Sequence, residues 1–368
     1  MKFLTKAAAA ALLSLAVLIA GCSSEKKETT SATTVDETSG QASANQEQSY
    51  KLKVGYGQGF GSQLGFLAEY KGYFKEQNLE VEFVPFAVTA DGLNALQTDK
   101  IDIGVSFGTA GPLTFISKGS EFSIIGGHLS GGTAIFAREE DKEQYKTIEG
   151  YRGKRIGTVR LYTGDIVLRT ALSAAGIDWK KDVELTEFKS PSVLLEAIKS
   201  GKVDVGVGGI NRAAAAEAGV IPVTWTNDLL PDGVCCRIVA NTDEVNDKSE
   251  AYKRFLKAII KAEKIRFSDP EETVTASRPY LNNLDDATIR DMVIEEHQWN
   301  YSDPNKKAIE EMWDSMVSIG YITDGKDTDI DQHINTTLYK QAVEELIEEN
   351  PDDEFFKQVQ ERFIKQNT

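Results

Sequence analysis

The sequence predicts an α/β protein of two lobes, each a mostly parallel sheet flanked by helices, with a helical C-terminal extension. Three observations carry this. One stretch occurs twice without a gap: ALQTDKIDIGVSFGTAGP at 95–112 and AIKSGKVDVGVGGINRAA at 197–214, an offset of 102 residues. Each copy alternates β-rich runs with runs of helical periodicity, the pattern of right-handed crossovers feeding parallel strands. From Asn246 onward the chain reads almost wholly as helix. Two copies at this spacing suggest two lobes rather than a solenoid.

The offset extends upstream. KVGYGQGF (53–60) falls on RIGTVRLY (155–162), with Gly55 on Gly157. LEVEFVPF (79–86) lies opposite KDVELTEF (181–188). In each copy the last strand, IDIGVS or VDVGVG, carries the matching Asp102 or Asp204. Each unit therefore reads strand, helix, strand, helix, strand. Ligands of such sheets sit beyond the carboxyl ends of the strands. Those ends are GQGFGS (57–62), FGTAGP (107–112), VRLYTGD (159–165) and GGINRA (208–213). Their glycines let backbone approach a ligand closely.

Taken in order, residues 1–22 read as a secretory signal: Lys2 and Lys6, an apolar run from Ala7 to Ala20, then Ile19-Ala20-Gly21-Cys22. The run is too short for a confident membrane span. Its end resembles the bacterial lipobox, which implies cleavage before Cys22 and lipid on its sulfur. Residues 23–49 hold almost no apolar side chains and are expected to be a flexible tether. The first lobe is expected over 50–136 plus 237–368, the latter including the C-terminal helices, and the second over 137–236. TAIFARE (133–139) and PDGVCCRIVA (231–240) read as the strands by which the chain crosses between lobes. The run 250–269 is amphipathic, with Tyr252, Phe255, Leu256, Ile259 and Ile260 on one face, and Asp269-Pro270 stops it. DDATIRDMVIEEHQ, DPNKKAIEEMWDSMVSIG, NTTLYKQAVEELIEEN and PDDEFFKQVQERFIKQ continue as helices.

The formal charge of −16 speaks against a nucleic-acid partner, and 41% hydrophobic residues suffice for a large core. With Cys22 lipidated, only the adjacent Cys235 and Cys236 remain, so no disulfide framework is expected. Histidines 128, 297 and 333 are too far apart to suggest a zinc or haem motif, and no metal or cofactor is expected.

The order and spacing of these blocks resemble the periplasmic binding proteins of the nitrate/sulfonate/taurine and thiamine-precursor group, the aliphatic-sulfonate-binding and THI5-like branch. The matching residues are KVGYGQGF, FLAEYKGYFKEQNLEVEFVPF, ALQTDKIDIGVSFGTAGPL, YRGKRIGT and AIKSGKVDVGV, over roughly residues 50–270. The resemblance implies a type II periplasmic-binding-protein-like fold. It also implies a monomeric, non-enzymatic receptor that closes around a small solute and hands it to the permease and ATPase of an ABC importer. The tail beyond about residue 325 is longer than the family core.

Candidate ligand contacts lie at the strand ends. Gln58 could hydrogen-bond a ligand and Phe60 could pack on it. Gly108, Thr109 and Ala110 match the family's strand-end loop and offer a hydroxyl and backbone N–H groups. His128, after two glycines, is expected to face the same mouth. Tyr162, Thr163 and Asp165 open a helix that Thr163 or Asp165 could cap. A helix N-terminus attracts anions, which Asp165 would oppose, so either the ligand is neutral or zwitterionic or Asp165 is turned away. Arg160, Arg169 and Arg212 are candidate counter-charges, with Arg169 expected at the surface and Arg212 favoured. Asn211 matches Thr109 in the repeat and is expected to face it across the cleft. The ligand expected on family grounds is a small sulfonate, nitrate or related organic acid, with a pyrimidine-type ring next. The alternative class is a THI5-like enzyme on the same fold.

Overall fold

Two mixed sheets organise the chain. The computed structural model describes residues 48–58, 61–231, 233–282 and 284–368. The signal segment, Cys22, nearly all of the tether and Phe60 lie outside the described residues. The first sheet has the order β11-β4-β10-β3-β1-β2 and the second β7-β6-β8-β5-β9. The strands are β1 Tyr50–Gly57, β2 Leu79–Phe86, β3 Ile103–Val105, β4 Phe122–Gly131, β5 Ala134–Arg138 and β6 Arg155–Val159. Then come β7 Glu184–Phe188, β8 Val205–Val207, β9 Val220–Trp225, β10 Val234–Asn241 and β11 Gln298–Trp299.

The repeat seen in the sequence is a repeat of pairing register. β1 lies parallel to β2 and β3, and β6 parallel to β7 and β8. Gly55 pairs with Gly104, and Gly157 with Gly206. The equivalent aspartates do equivalent work. The Lys53 N–H donates to Asp102 Oδ2 at 2.7 Å, and the Arg155 N–H to Asp204 Oδ2 at 2.9 Å. Each carboxylate satisfies a strand N–H that the ladder leaves over. The glycines are also equivalent. A Cβ on Gly55 would strike Ile101, Phe86 and Phe107; on Gly157 it would strike Leu194, Phe188 and Val203. At both positions apolar side chains pack over the glycine, close enough that an added Cβ would make them shift.

The crossover strands run the other way. β10 pairs antiparallel with β3 and β4, and β5 with β8 and β9. Each sheet is therefore mixed: three parallel strands from the repeat, completed by antiparallel ones. The chain passes between sheets at Gly131–Ala134 and again between Trp225 and Val234.

The C-terminal region packs on both sheets. The helix Ser249–Ser268 buries all five residues of its apolar stripe, at 2% exposure or less, and Asp269 ends it before Pro270 opens the next helix. The expected helix over 285–298 is shorter: it spans Asp286–Val293, and Gln298–Trp299 instead adds strand β11 to the edge of the first sheet. The tail beyond residue 325 locks this region. Arg362 of the last helix, Glu354–Asn367, binds Asp303 at 2.7 Å and the fully buried Glu263 at 2.6 Å. Glu263 also accepts the Ser302 N–H at 2.7 Å, and the Ser302 hydroxyl bonds the Tyr339 hydroxyl at 2.7 Å. Burial raises the Glu263 pKa, and the Arg362 guanidinium opposes that rise.

Candidate functional site

The strand ends of the two copies meet around a small chamber of about 10 Å³. Thr89, Ser106 and Gly108 face it from the first copy and Tyr162 and Thr163 from the second, with Thr133, Cys235 and Cys236 at the crossovers. Thr163 joins the two sides. Its hydroxyl oxygen accepts the Thr109 N–H at 2.8 Å and the Ala110 N–H at 3.4 Å, and it donates to the Cys235 carbonyl at 2.7 Å. Thr109 adds a second hydroxyl on the Cys235 carbonyl, at 3.1 Å. Gly108 has φ +78°, and a Cβ there would stand 3.2 Å from the Thr163 hydroxyl, so glycine serves both the turn and the close approach. No carboxylate and no cation is among the residues lining this chamber.

A second chamber, about 40 Å³, lies beyond Thr133, which borders both. Asn211, Arg212, Trp225, Asp291 and Gln298 line it. Arg212 is held by Asp291, with Nε to Oδ2 at 2.7 Å and Nη2 to the carbonyl at 2.6 Å, and by Glu295. Its guanidinium also lies 5.5 Å over Trp225, which stacks on His297 at 4.0 Å. The Gln298 side-chain oxygen has no hydrogen-bond partner among the described residues.

The expected site residues divide between these places. Gly108, Tyr162 and Thr163 line the first chamber, and Thr109 and Ala110 back it. Asn211 and Arg212 line the second, so Asn211 and Thr109 sit at different cavities rather than opposite each other. The Asn211 side chain is already used, capping the helix Arg212–Glu217 through the Ala214 N–H at 2.9 Å. Gln58 is exposed, in the turn after β1. His128 is not at a strand end: it lies within β4, 2% exposed, and lines neither chamber. Burial and the nearby Arg237 charge push its pKa down to about 3.

Asp165 is turned away, and neither it nor Thr163 caps the helix, whose cap is Tyr162. Its carboxylate is buried against Arg169, at 2.7 and 3.1 Å, and desolvation still pushes its pKa up to about 6. Arg169, expected at the surface, is 2% exposed. It pairs with Asp165 and Glu187 and lies 4.3 Å from the Trp179 ring centre. The spacing of four between Asp165 and Arg169 on one helix was the sequence signal for this. Arg160 lines a separate pocket with Arg169, Trp179 and Tyr321. A further positive charge, Arg237 on β10, is fully buried, and its guanidinium meets the carbonyls of Leu129, Asp303 and Pro304 and the Ser130 hydroxyl. Thr133, Cys235 and Cys236 escaped the sequence reading as site residues because the crossovers have no counterpart at the repeat offset.

The family model described as NMT1/THI5 like matches residues 64–273, more than half of the chain. The chain belongs to the NMT1/THI5-like family. A Brucella abortus (strain 2308) protein named as a binding protein is 25% identical over 240 residues, covering 62% of this chain and 71% of that one. A Candida albicans (strain WO-1) chain named 4-amino-5-hydroxymethyl-2-methylpyrimidine phosphate synthase is 25% identical over 221 residues, covering 56% of this chain and 64% of that one. Among solved structures, the periplasmic aliphatic sulphonate binding protein SsuA from Escherichia coli matches with TM-score 0.64 and 19% identity, covering 78% and 92% of the two chains. The periplasmic nitrate-binding protein NrtA from Synechocystis PCC 6803 matches with TM-score 0.67 and 16% identity, covering 81% and 89%. These structures share the fold of this family member, mixed sheets flanked by helices. No helix of the described residues is long and apolar enough to cross a membrane.

Proposed function

We propose that this chain is an extracytoplasmic solute receptor of an ABC importer, held at the membrane by lipid on Cys22 and working as a monomer. In this reading the lobes meet at the two crossovers, close on a small solute in the first chamber, and present the closed form to the permease. The observation that carries it is the Thr163 hydroxyl, which reaches from one copy of the repeat onto the Thr109 and Ala110 N–H groups of the other. A solute oxygen entering the chamber competes for those same donors, so binding and lobe closure use one set of hydrogen bonds. A small sulfonate, nitrate or related organic acid suits the lining: hydroxyls and backbone donors, no carboxylate among the described lining residues, and the buried Arg237 charge on the same strand as Cys235 and Cys236.

The test is a thermal-shift screen of the protein against alkanesulfonates, nitrate, amino acids and pyrimidines. A solute that binds only the folded form at 100 times its dissociation constant adds about 2.7 kcal/mol of stability. One class is expected to raise the midpoint; no rise with any of them would count against the receptor reading. Trp225 in the second chamber favours a second reading, a flat pyrimidine-type ring, and a shift confined to pyrimidines would select it. Turnover of that ligand would select the THI5-like enzyme instead. Lipid attachment is tested by membrane fractionation of Cys22→Ser, which should release the protein from the membrane.

A further inference from the structure

Cys235 and Cys236 are neighbours in a strand, where consecutive side chains ordinarily point to opposite faces. Here they do not. The pairing of β10 with β4 shifts register between Val234 and Cys236 and again between Cys236 and Arg237. Such a bulge re-aims side chains. Both cysteines line the first chamber, and their sulfurs stand 3.5 Å apart. The Thr133 hydroxyl stands 3.8 Å from the Cys235 sulfur. Both cysteines are free and buried. They also resist closing on each other. Adjacent Cα atoms lie about 3.8 Å apart across a trans peptide, below the roughly 4.4–6.8 Å that a disulfide prefers.

We propose that Cys235 and Cys236 form a dithiol capture site, within the solute cleft, for a trivalent hydroxylated metalloid of the arsenous-acid type. The proposal rests on the receptor reading, since the thiols are reached only when the lobes part. The geometry selects the class. With bonds to sulfur of about 2.3 Å, a spacing of 3.5 Å sets an angle of about 99° at the bridging atom, which fits a pyramidal centre. A linear two-coordinate ion would need the sulfurs roughly 4.6 Å apart on the same bond length. A tetrahedral zinc ion would need two further nitrogen or sulfur ligands, and the other residues lining the chamber offer hydroxyls and backbone.

The chemistry balances without an oxidant. Two S–As bonds form, two As–OH bonds break, and each thiol proton leaves with a hydroxyl as water. Reactants and product are neutral, so no unpaired charge is buried. Hydrogen bonding from Cys236 and Thr133 and the Arg237 charge lower the Cys235 pKa against its burial, while the same Cys235 contact and burial raise that of Cys236.

The experiment titrates the reduced Cys22→Ser chain, which keeps Cys235 and Cys236 as its two thiols, with arsenite and follows intact mass and free thiols. Expected are one arsenic per chain, loss of two titratable thiols, and reversal by a dithiol but not by a monothiol. Cys235→Ser and Cys236→Ser should each abolish the stoichiometric uptake while keeping the wild-type unfolding midpoint within a few degrees. Uptake that persists in either variant overturns the proposal. So does absence of uptake in a native chain whose two thiols react with Ellman's reagent. If neither arsenite nor Ellman's reagent reaches the thiols until the chain is unfolded, the cleft does not open, and the receptor reading falls with the proposal.

Discussion

At the scale of single residues, Thr163 does the most with the least. Its hydroxyl serves two N–H donors and one carbonyl in a buried setting. Thr163→Val keeps the shape and removes the hydroxyl, which strands the buried Thr109 N–H. A stability loss of about 1–3 kcal/mol is expected in chemical denaturation, together with weaker solute binding. Gly108→Ala puts a Cβ on a residue at φ +78° and against that same hydroxyl. It should cost more than the ~1 kcal/mol that a glycine-to-alanine change gains at a compatible site.

His128 supplies a pH signature. Its folded pKa is about 3 against an ordinary 6.5. Between those values the unfolded chain binds the proton and the folded chain does not, so this residue's contribution falls as pH drops from about 6.5. The slope for one proton is about 1.4 kcal/mol per pH unit. Asp165 acts in the opposite sense. Its raised pKa, about 6, means that the folded chain binds a proton first as pH falls from there towards the ordinary 3.8. Comparing wild type with His128→Asn by denaturation at pH 7 and pH 5 isolates the histidine: the variant should lose less stability on acidification. An identical loss in both would remove His128 from the account.

At the scale of elements, the repeat explains what the sequence made legible. Asp102 and Asp204, Gly55 and Gly157 are backbone fixtures of one strand-helix-strand unit, and their spacing survives because the register depends on them. They need not cost the same to remove. Asp204 also binds the Arg155 side chain, with Nε to Oδ2 at 3.2 Å, and is the less exposed of the two at 15% against 23%. Asp204→Asn should therefore destabilise more than Asp102→Asn. What stayed hidden were partnerships across long separations: Arg212 with Asp291, Trp225 with His297, Arg362 with Glu263. Nothing local to either member announces them, and a helix periodicity read over 285–298 concealed the edge strand β11. The tail's role is of this kind. Arg362→Ala leaves Glu263 buried without its cation, an expected loss of about 3–5 kcal/mol in thermal or chemical unfolding.

At the scale of the whole molecule, duplication produces two sheet-and-helix halves whose strand ends face one another, and the crossovers make a cleft of them. The polar lining comes from both halves, while most of the charged groups nearby are spent on fixing structure: Asp165 on Arg169, Arg212 on Asp291 and Glu295. Arg237 is the exception, a buried cation bonded to carbonyls and one hydroxyl. This division is why the site was only half legible. Strand-end positions followed from the repeat, but whether an arginine there is free or paired depends on elements far along the chain. In the proposed function a solute binds between the two halves on the donors that Thr163 now occupies. The most direct measurement is calorimetric titration, into wild type and Thr163→Val, of whichever solute shifts the unfolding midpoint. The account predicts stoichiometric binding to wild type and at least about tenfold weaker binding to the variant, the equivalent of 1.4 kcal/mol. Equal affinity in the two would place the solute elsewhere and contradict it.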